Sequence, residues 1–212
     1  EFTFLPRKFK IALTGAARDR AAIQVHDIGY QLIRNTEGET GFAVYVGGGQ
    51  GRTPMIARKI RDFLPEADLL AYTQAILRVY NLEGRRDNKY KARIKILVHE
   101  KGEAAMREAV EAEFSAQNGA RLTLPATEIA RIRDYFKLPD MARRAAQSDP
   151  FETRERADPA FAAFVASNVF AHKVEGHRIV TISLKPVGGI PGDATAEQMD
   201  AVAELAEAYS AS

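Results

Sequence analysis

A chain of 212 residues, 46% apolar and 27% charged, has material for one large or two small globular domains. With no cysteine it cannot supply a disulfide, a thiolate nucleophile, a thiolate zinc site or the ligands of an iron–sulfur cluster. The net charge of +2 is uneven, with 17 Lys/Arg against 11 Asp/Glu in residues 1–100 and 13 against 17 in residues 101–212, so an anionic ligand is expected on the first half.

In chain order, the opening Glu1–Pro6 has no basic n-region, apolar h-region or initiator Met, which predicts a start inside a longer protein. Residues 7–13 read as a strand. Runs at 28–34 and 40–46 flank the polar tip Asn35–Glu39, where Gly38 predicts a hairpin turn. The second run empties into Gly47-Gly48-Gly49-Gln50-Gly51. Thr53 as N-cap and Pro54 as first helical residue then predict a helix to about Phe63.

A second helix is expected from Asp68 to about Leu82, with Leu69, Tyr72, Ile76, Val79 and Tyr80 on one face. Residues 86–97 read as helical, as do 103–116 and 126–136. The polar stretch 138–157 reads as a linker or surface loop. A helix near 158–167, a strand at 178–184, a Gly/Pro loop and a helix at 196–209 complete the chain, the last with a capping box from Thr195 and Gln198. No run approaches the roughly 18 apolar residues needed to span a bilayer. No two of His26, His99, His172 and His177 sit at i, i+4, which speaks against a histidine metal site.

Three features of the basic half could hold an anion. In Leu5-Pro6-Arg7-Lys8-Phe9-Lys10, strand alternation puts Lys8 and Lys10 on one face roughly 7 Å apart, where they repel unless an anion or water lies between them. An exposed edge strand guarded by lysines has the same pattern. Gly47–Gly51 lets backbone approach a ligand ahead of a helix N-terminus, although it fits neither the dinucleotide fingerprint nor the P-loop, and a plain tight turn would look alike. On a helix, Arg86, Lys89 and Arg93 would fall within about 60° of one another as a cationic stripe, or as an ordinary solvated face.

These segments, LPRKFK, Val46-Gly47-Gly48-Gly49 and Ala92-Arg93-Ile94-Lys95, resemble the siroheme-dependent sulfite/nitrite reductases in order and spacing. The resemblance implies an α/β (α+β) fold, a mixed sheet with flanking helices like the siroheme domain of that family. That domain is expected over 1–145, with the start of a second, incomplete ferredoxin-like half-domain over 158–212. It implies an oxidoreductase that, when complete, carries out six-electron reduction of sulfite to sulfide or nitrite to ammonia. By the same resemblance Lys8 and Lys10 bind the oxyanion substrate. Arg7, Gly47, Gly48, Gly49, Arg52, Arg86, Lys89 and Arg93 line siroheme, a polycarboxylate.

A [4Fe-4S] cluster belongs to the complete enzyme, but its cysteines are absent here, as are the substrate arginines of an earlier half-domain. The implied partners are the rest of the same reductase, namely an N-terminal half-domain and a C-terminal cluster domain, and a donor such as ferredoxin or a flavoprotein. The implied location is the cytoplasm, without membrane attachment. The alternative reading is a non-catalytic anion- or nucleic-acid-binding α/β module. Single-strand binders interleave exposed aromatics with basic residues, whereas Phe9, Phe42, Tyr45, Tyr72 and Tyr80 fall mostly on expected core faces, which weighs against nucleic acid.

Overall fold

The computed structural model describes residues 2–117, 122, 124–141 and 148–210. Contacts divide the chain into two units, 1–126 and 127–212.

The first unit is built on a four-stranded mixed sheet of order β1-β2-β3-β4, from Ile11–Thr14, Ile28–Arg34, Thr40–Val46 and Arg58–Pro65. β1 runs parallel to β2, and the other pairs are antiparallel. The β2–β3 hairpin has the boundaries expected from sequence, with Ile28 opposite Val46 and Arg34 opposite Thr40. Its turn is closed by the Asn35 side chain, whose Oδ1 accepts the Glu37 and Glu39 amides at 3.0 and 2.9 Å, while Gly38 takes a φ of +82°.

Helices α1 (Leu69–Glu83), α2 (Ile94–Lys101) and α3 (Glu103–Ala116) pack with this sheet. One core joins Ile28, Val44, Val46, Ile60 and Leu64 of the sheet to Tyr72, Ile76, Tyr80, Ile94, Met106 and Val110 of the helices, all fully buried. Arg61 stacks its guanidinium on the Tyr72 and Phe114 rings, 5.1 and 5.5 Å from their centroids, and pairs with Glu111 at 2.7 Å.

Three expectations fail in this unit. The helix from Thr53 to Phe63 is a strand. Gly49 and Met55 exchange backbone hydrogen bonds of 2.9 and 2.8 Å, which turns the chain back on itself, leaves Pro54 in the loop and delivers 58–65 to the sheet edge. Ile60 and Leu64, the buried pair of that strand, are four residues apart, a spacing shared by one helix face and one strand face. The helix expected at 86–97 starts only at Ile94, because the Asn88 side chain caps a 3-10 turn over Lys89–Lys91 and Arg93 is extended at φ −79°, ψ 155°. The strand expected at 7–13 becomes regular only at Ile11.

The second unit holds α4 (Ala126–Tyr135), α5 (Asp149–Ala157), α6 (Pro159–Asn168), the hairpin pair β5 (Val169–Ala171) and β6 (Arg178–Val180), and α7 (Ala196–Tyr209). None of its described residues is buried. The Phe151 and Phe161 rings meet edge-on at 5.5 Å between α5 and α6. The Thr195–Gln198 capping box forms as expected. The stretch 138–157, expected as loop, contains α5, whose Pro150 suits a first helical turn; residues 142–147 of it lie outside the described residues. The strand expected at 178–184 pairs only as far as Val180. Among the described residues, no helix is long and apolar enough to cross a membrane.

Candidate anion-binding site

Lys8 and Lys10 lie in the segment that leads into β1. Both are exposed, while Phe9 between them packs against the core, so the alternation expected of an extended chain holds although regular strand pairing begins only at Ile11. Neither lysine has an ion-pair partner among the described residues, and nor do Arg7 and Arg52. A depression of about 330 Å³ beside them is lined by Phe2, Leu5, Arg7, Lys8 and Phe9.

Gly47, Gly48 and Gly49 are buried while Gly51 is exposed, and the tightest neighbours of the buried three belong to the chain itself. A Cβ on Gly47 (φ +93°) would fall 2.8 Å from Val98 Cβ. On Gly48 it would fall 2.3 and 2.5 Å from the carbonyl oxygens of Gln24 and His26, and on Gly49 2.8 Å from Lys95 Cδ. Close backbone approach is therefore real, and it lets β3 run out against α2 and the 23–26 turn.

A cleft of about 660 Å³ opens beside this loop, lined in part by Gly47, Arg58, Lys95, His99 and Glu103. Lys95 is 8% exposed and donates to Gln50 O at 3.0 Å and Thr53 O at 2.6 Å, stapling the exposed loop that carries Arg52. Burial, and then the nearby Arg93 guanidinium, lower its pKa from the ordinary lysine value.

The expected stripe of Arg86, Lys89 and Arg93 is not assembled. Arg86 donates to Phe4 O at 2.9 Å and to Asn81 O and Oδ1 at 2.9 and 2.7 Å. Lys89 lies 5.3 Å from the Tyr90 ring centroid. Arg93 forms a two-pronged pair with Asp27, its Nε to Oδ1 at 3.1 Å and its Nη2 to Oδ2. Two of the three guanidinium and ammonium groups thus serve the chain's own backbone and carboxylate.

Sequence reasoning passed over Asp27. It is fully buried, and beyond Arg93 its Oδ2 accepts the Lys10 amide at 3.0 Å while its carbonyl accepts the Gly47 amide at 2.8 Å. One residue thus meets all three segments singled out above. The available signal was an acidic residue directly before an apolar strand, at a position where a charge needs a partner. Tyr80 was read only as a core residue. Its hydroxyl shares a proton between Ala92 O at 2.8 Å and Arg7 O at 3.1 Å, and burial pushes its pKa up to about 12, so it remains a donor. Of the aromatics weighed for base stacking, Phe42, Tyr72 and Tyr80 are buried and Phe9 and Tyr45 are half-buried.

Comparisons with known proteins match the first unit to one family. A sulfite reductase (ferredoxin) of Synechococcus elongatus is 41% identical over 140 residues, covering 63% of this chain and 22% of the relative. An assimilatory ferredoxin-dependent nitrite reductase of Haloferax mediterranei is 35% identical over 116 residues, covering 52% and 20%. The solved structure of the Mycobacterium tuberculosis NirA protein superposes with a TM-score of 0.50 at 29% identity, covering 58% of this chain and 22% of that one. The chain spans about a fifth of the length of the curated relatives it matches. The matched family model takes in residues 1–118, more than half of the chain, and the protein belongs to that family, the nitrite and sulphite reductase 4Fe-4S domain.

Proposed function

We propose that this chain supplies the oxyanion-binding lysines and part of the siroheme cradle of an assimilatory-type sulfite or nitrite reductase. The observation that carries this reading is the Lys8–Phe9–Lys10 arrangement, two unpaired ammonium groups beside a ring anchored in the core. Such a pair can neutralise a bound sulfite or nitrite and hold a proton close to its oxygens. Catalysis by the whole enzyme rests on segments beyond those matched here.

The donor chemistry fits the carboxylate rim of siroheme. Arg7, Lys8, Lys10 and Arg52, exposed and without ion-pair partners, suit a polycarboxylate. With no cysteine in the chain, the [4Fe-4S] cluster takes no thiolate ligand from it. When bound, siroheme supplies the electron relay to the substrate; this chain's lysines bind and orient the oxyanion. The names of the relatives favour ferredoxin as donor. Assigning 1–145 to a siroheme domain and 158–212 to the start of a second half-domain belongs to the same proposal, and the family match over 1–118 supports its first part.

Titration of sulfite and sulfate into the chain tests the reading. Lys8→Ala/Lys10→Ala should weaken binding by at least about tenfold, the loss of charge-assisted contacts from two cations. Equal affinity in the parent and double variant removes the assignment.

A further inference from the structure

The two lysines sit on a segment that meets a neighbouring strand only at its end, where the Ile28 amide of β2 donates to Lys10 O at 3.1 Å. Ahead of Ile11, side chains from elsewhere in the fold take up its backbone. Asp27 Oδ2 accepts the Lys10 amide at 3.0 Å. The Tyr80 hydroxyl reaches Arg7 O at 3.1 Å. Phe9, between these two points, is anchored in the core. The segment is therefore gripped immediately before Lys8, at Phe9 and at Lys10, which leaves the Lys8 and Lys10 side chains facing outward together.

Neither grip is free to drift. Asp27 is fully buried and tied by two bonds to Arg93 at the start of α2, and its own carbonyl holds Gly47. Tyr80 is fully buried in α1 and also bonded to Ala92 O, one residue before Arg93. Both clamps therefore refer the lysine segment to the same short stretch, 92–93. Two ammonium groups that repel each other would otherwise splay apart on an unpaired extended chain. Fixing their backbone during folding removes the ordering cost that an incoming anion would have to meet.

We propose that Asp27 and Tyr80 are positioning residues that hold Lys8 and Lys10 at the spacing an oxyanion requires. The inference rests on the reading of these lysines as the anion site. Asp27 and Tyr80 need not touch the anion; they act through the backbone of Arg7 and Lys10.

The test is a sulfate titration of the whole chain, followed by amide chemical shifts, with thermal unfolding recorded for every variant. Asp27→Asn keeps the size of the side chain but loses its charge and part of its acceptor capacity. It should weaken sulfate binding about tenfold, and Tyr80→Phe about threefold, well below either variant's unfolding temperature. Neither change should weaken binding further when added to Lys8→Ala/Lys10→Ala, because a clamp without lysines has nothing to position. A purely structural role would lower the unfolding temperature and leave sulfate affinity unchanged.

Unchanged affinity in both single variants, with loss in the lysine variant, overturns the positioning role and leaves the lysine site standing. Further loss from either change in the lysine-free background overturns it as well. Parent-like affinity in the lysine variant itself removes the site and the positioning with it. If Asp27→Asn does not fold, Tyr80→Phe, which deletes a single oxygen, decides the question.

Discussion

Replacing Gly48 with alanine should destabilise the first unit far more than replacing Gly51, although both belong to one glycine-rich loop. A Cβ on Gly48 would lie 2.3 Å from Gln24 O and 2.5 Å from His26 O. Ordinary carbon–oxygen contact is about 3.3 Å, so two backbone carbonyls would have to retreat by roughly 1 Å. Gln24 O cannot do so freely, because it accepts the Ala57 amide at 2.8 Å. Overpacking of this kind costs about 1–3 kcal/mol, the disturbed hydrogen bond adds about 1, and the stiffer unfolded chain returns about 0.4–1. The net expectation for Gly48→Ala is a loss of about 2 kcal/mol. Gly51 has a φ of +98° and nothing within 4 Å of its notional Cβ, so only the left-handed backbone penalty of about 1 kcal/mol applies, most of it offset by the same return from the stiffer unfolded chain. The difference, about 2 kcal/mol, corresponds to a gap of roughly 10 °C in unfolding temperature for a domain of this size. Urea and thermal unfolding followed by far-ultraviolet circular dichroism measure it in the chain without any cofactor. Equal stability of the two variants would refute the reasoning, because it would mean that the close packing around Gly48 relaxes at little cost and that the glycines answer to a ligand.

Other consequences are open to measurement. The lowered pKa of Lys95 means that the unfolded chain binds its proton more tightly than the folded one, so stability should rise with pH in the window below the ordinary lysine value of 10.5; Lys95→Met should flatten that rise and speed amide exchange at 50–53. Tyr30, pushed up to about 12 by burial, should stay un-ionised at pH 11 in the folded chain, and ultraviolet titration before and after unfolding should show its phenolate appearing only on unfolding. Glu111→Gln, which weakens both the Arg61 pair and the bond from the Tyr72 hydroxyl at 2.8 Å, should cost about 1 kcal/mol, discounted because the Glu111 side chain is 37% exposed; an unchanged urea midpoint would contradict this. Amides of Val169–Ala171 and Arg178–Val180 should exchange faster than those of Thr40–Val46, since the former pair has no buried residue and the latter lies within the core sheet.

What could be read from sequence was whatever neighbouring residues decide. The Asn35–Glu39 turn closes on its own side chains, and α7 is capped by Thr195 and Gln198 three residues apart, so both elements appear where expected. β4 was misread because Thr53-Pro54 is a good helix start in isolation, whereas the Gly49–Met55 bridge uses the same residues as a bend. The helix expected at 86–97 fails at two points: Asn88, by accepting the Tyr90 amide, starts only a single 3-10 turn, and the extended Arg93 separates that turn from α2. Asp27 was missed for the opposite reason. Its partners lie 17 and 66 residues away, and no local pattern announces a buried carboxylate that joins them.

The same contrast explains why the charge run at 85–95 does not assemble the expected cationic stripe. Cations were counted along the sequence, but the acids that neutralise them come from elsewhere: Asp27 for Arg93, and Glu111 and Glu113 of α3 for Arg61 and Arg78. Arg85 is held by Asp87 and Glu100, and Arg86 and Lys95 are spent on carbonyl oxygens. Arg7, Lys8, Lys10, Arg18, Arg20, Arg34, Arg52, Arg58, Lys89 and Lys91 meet no acid among the described residues of the first hundred. Half of these ten fall in residues 7–20, whereas four of the six cations of the run at 85–95 are taken up in closing the fold. Asp27, fully buried, takes up one of the most conspicuous arginines of that run and joins it to the Lys10 amide, so a cation that looks available in the sequence is spent in bracing the backbone of the N-terminal segment.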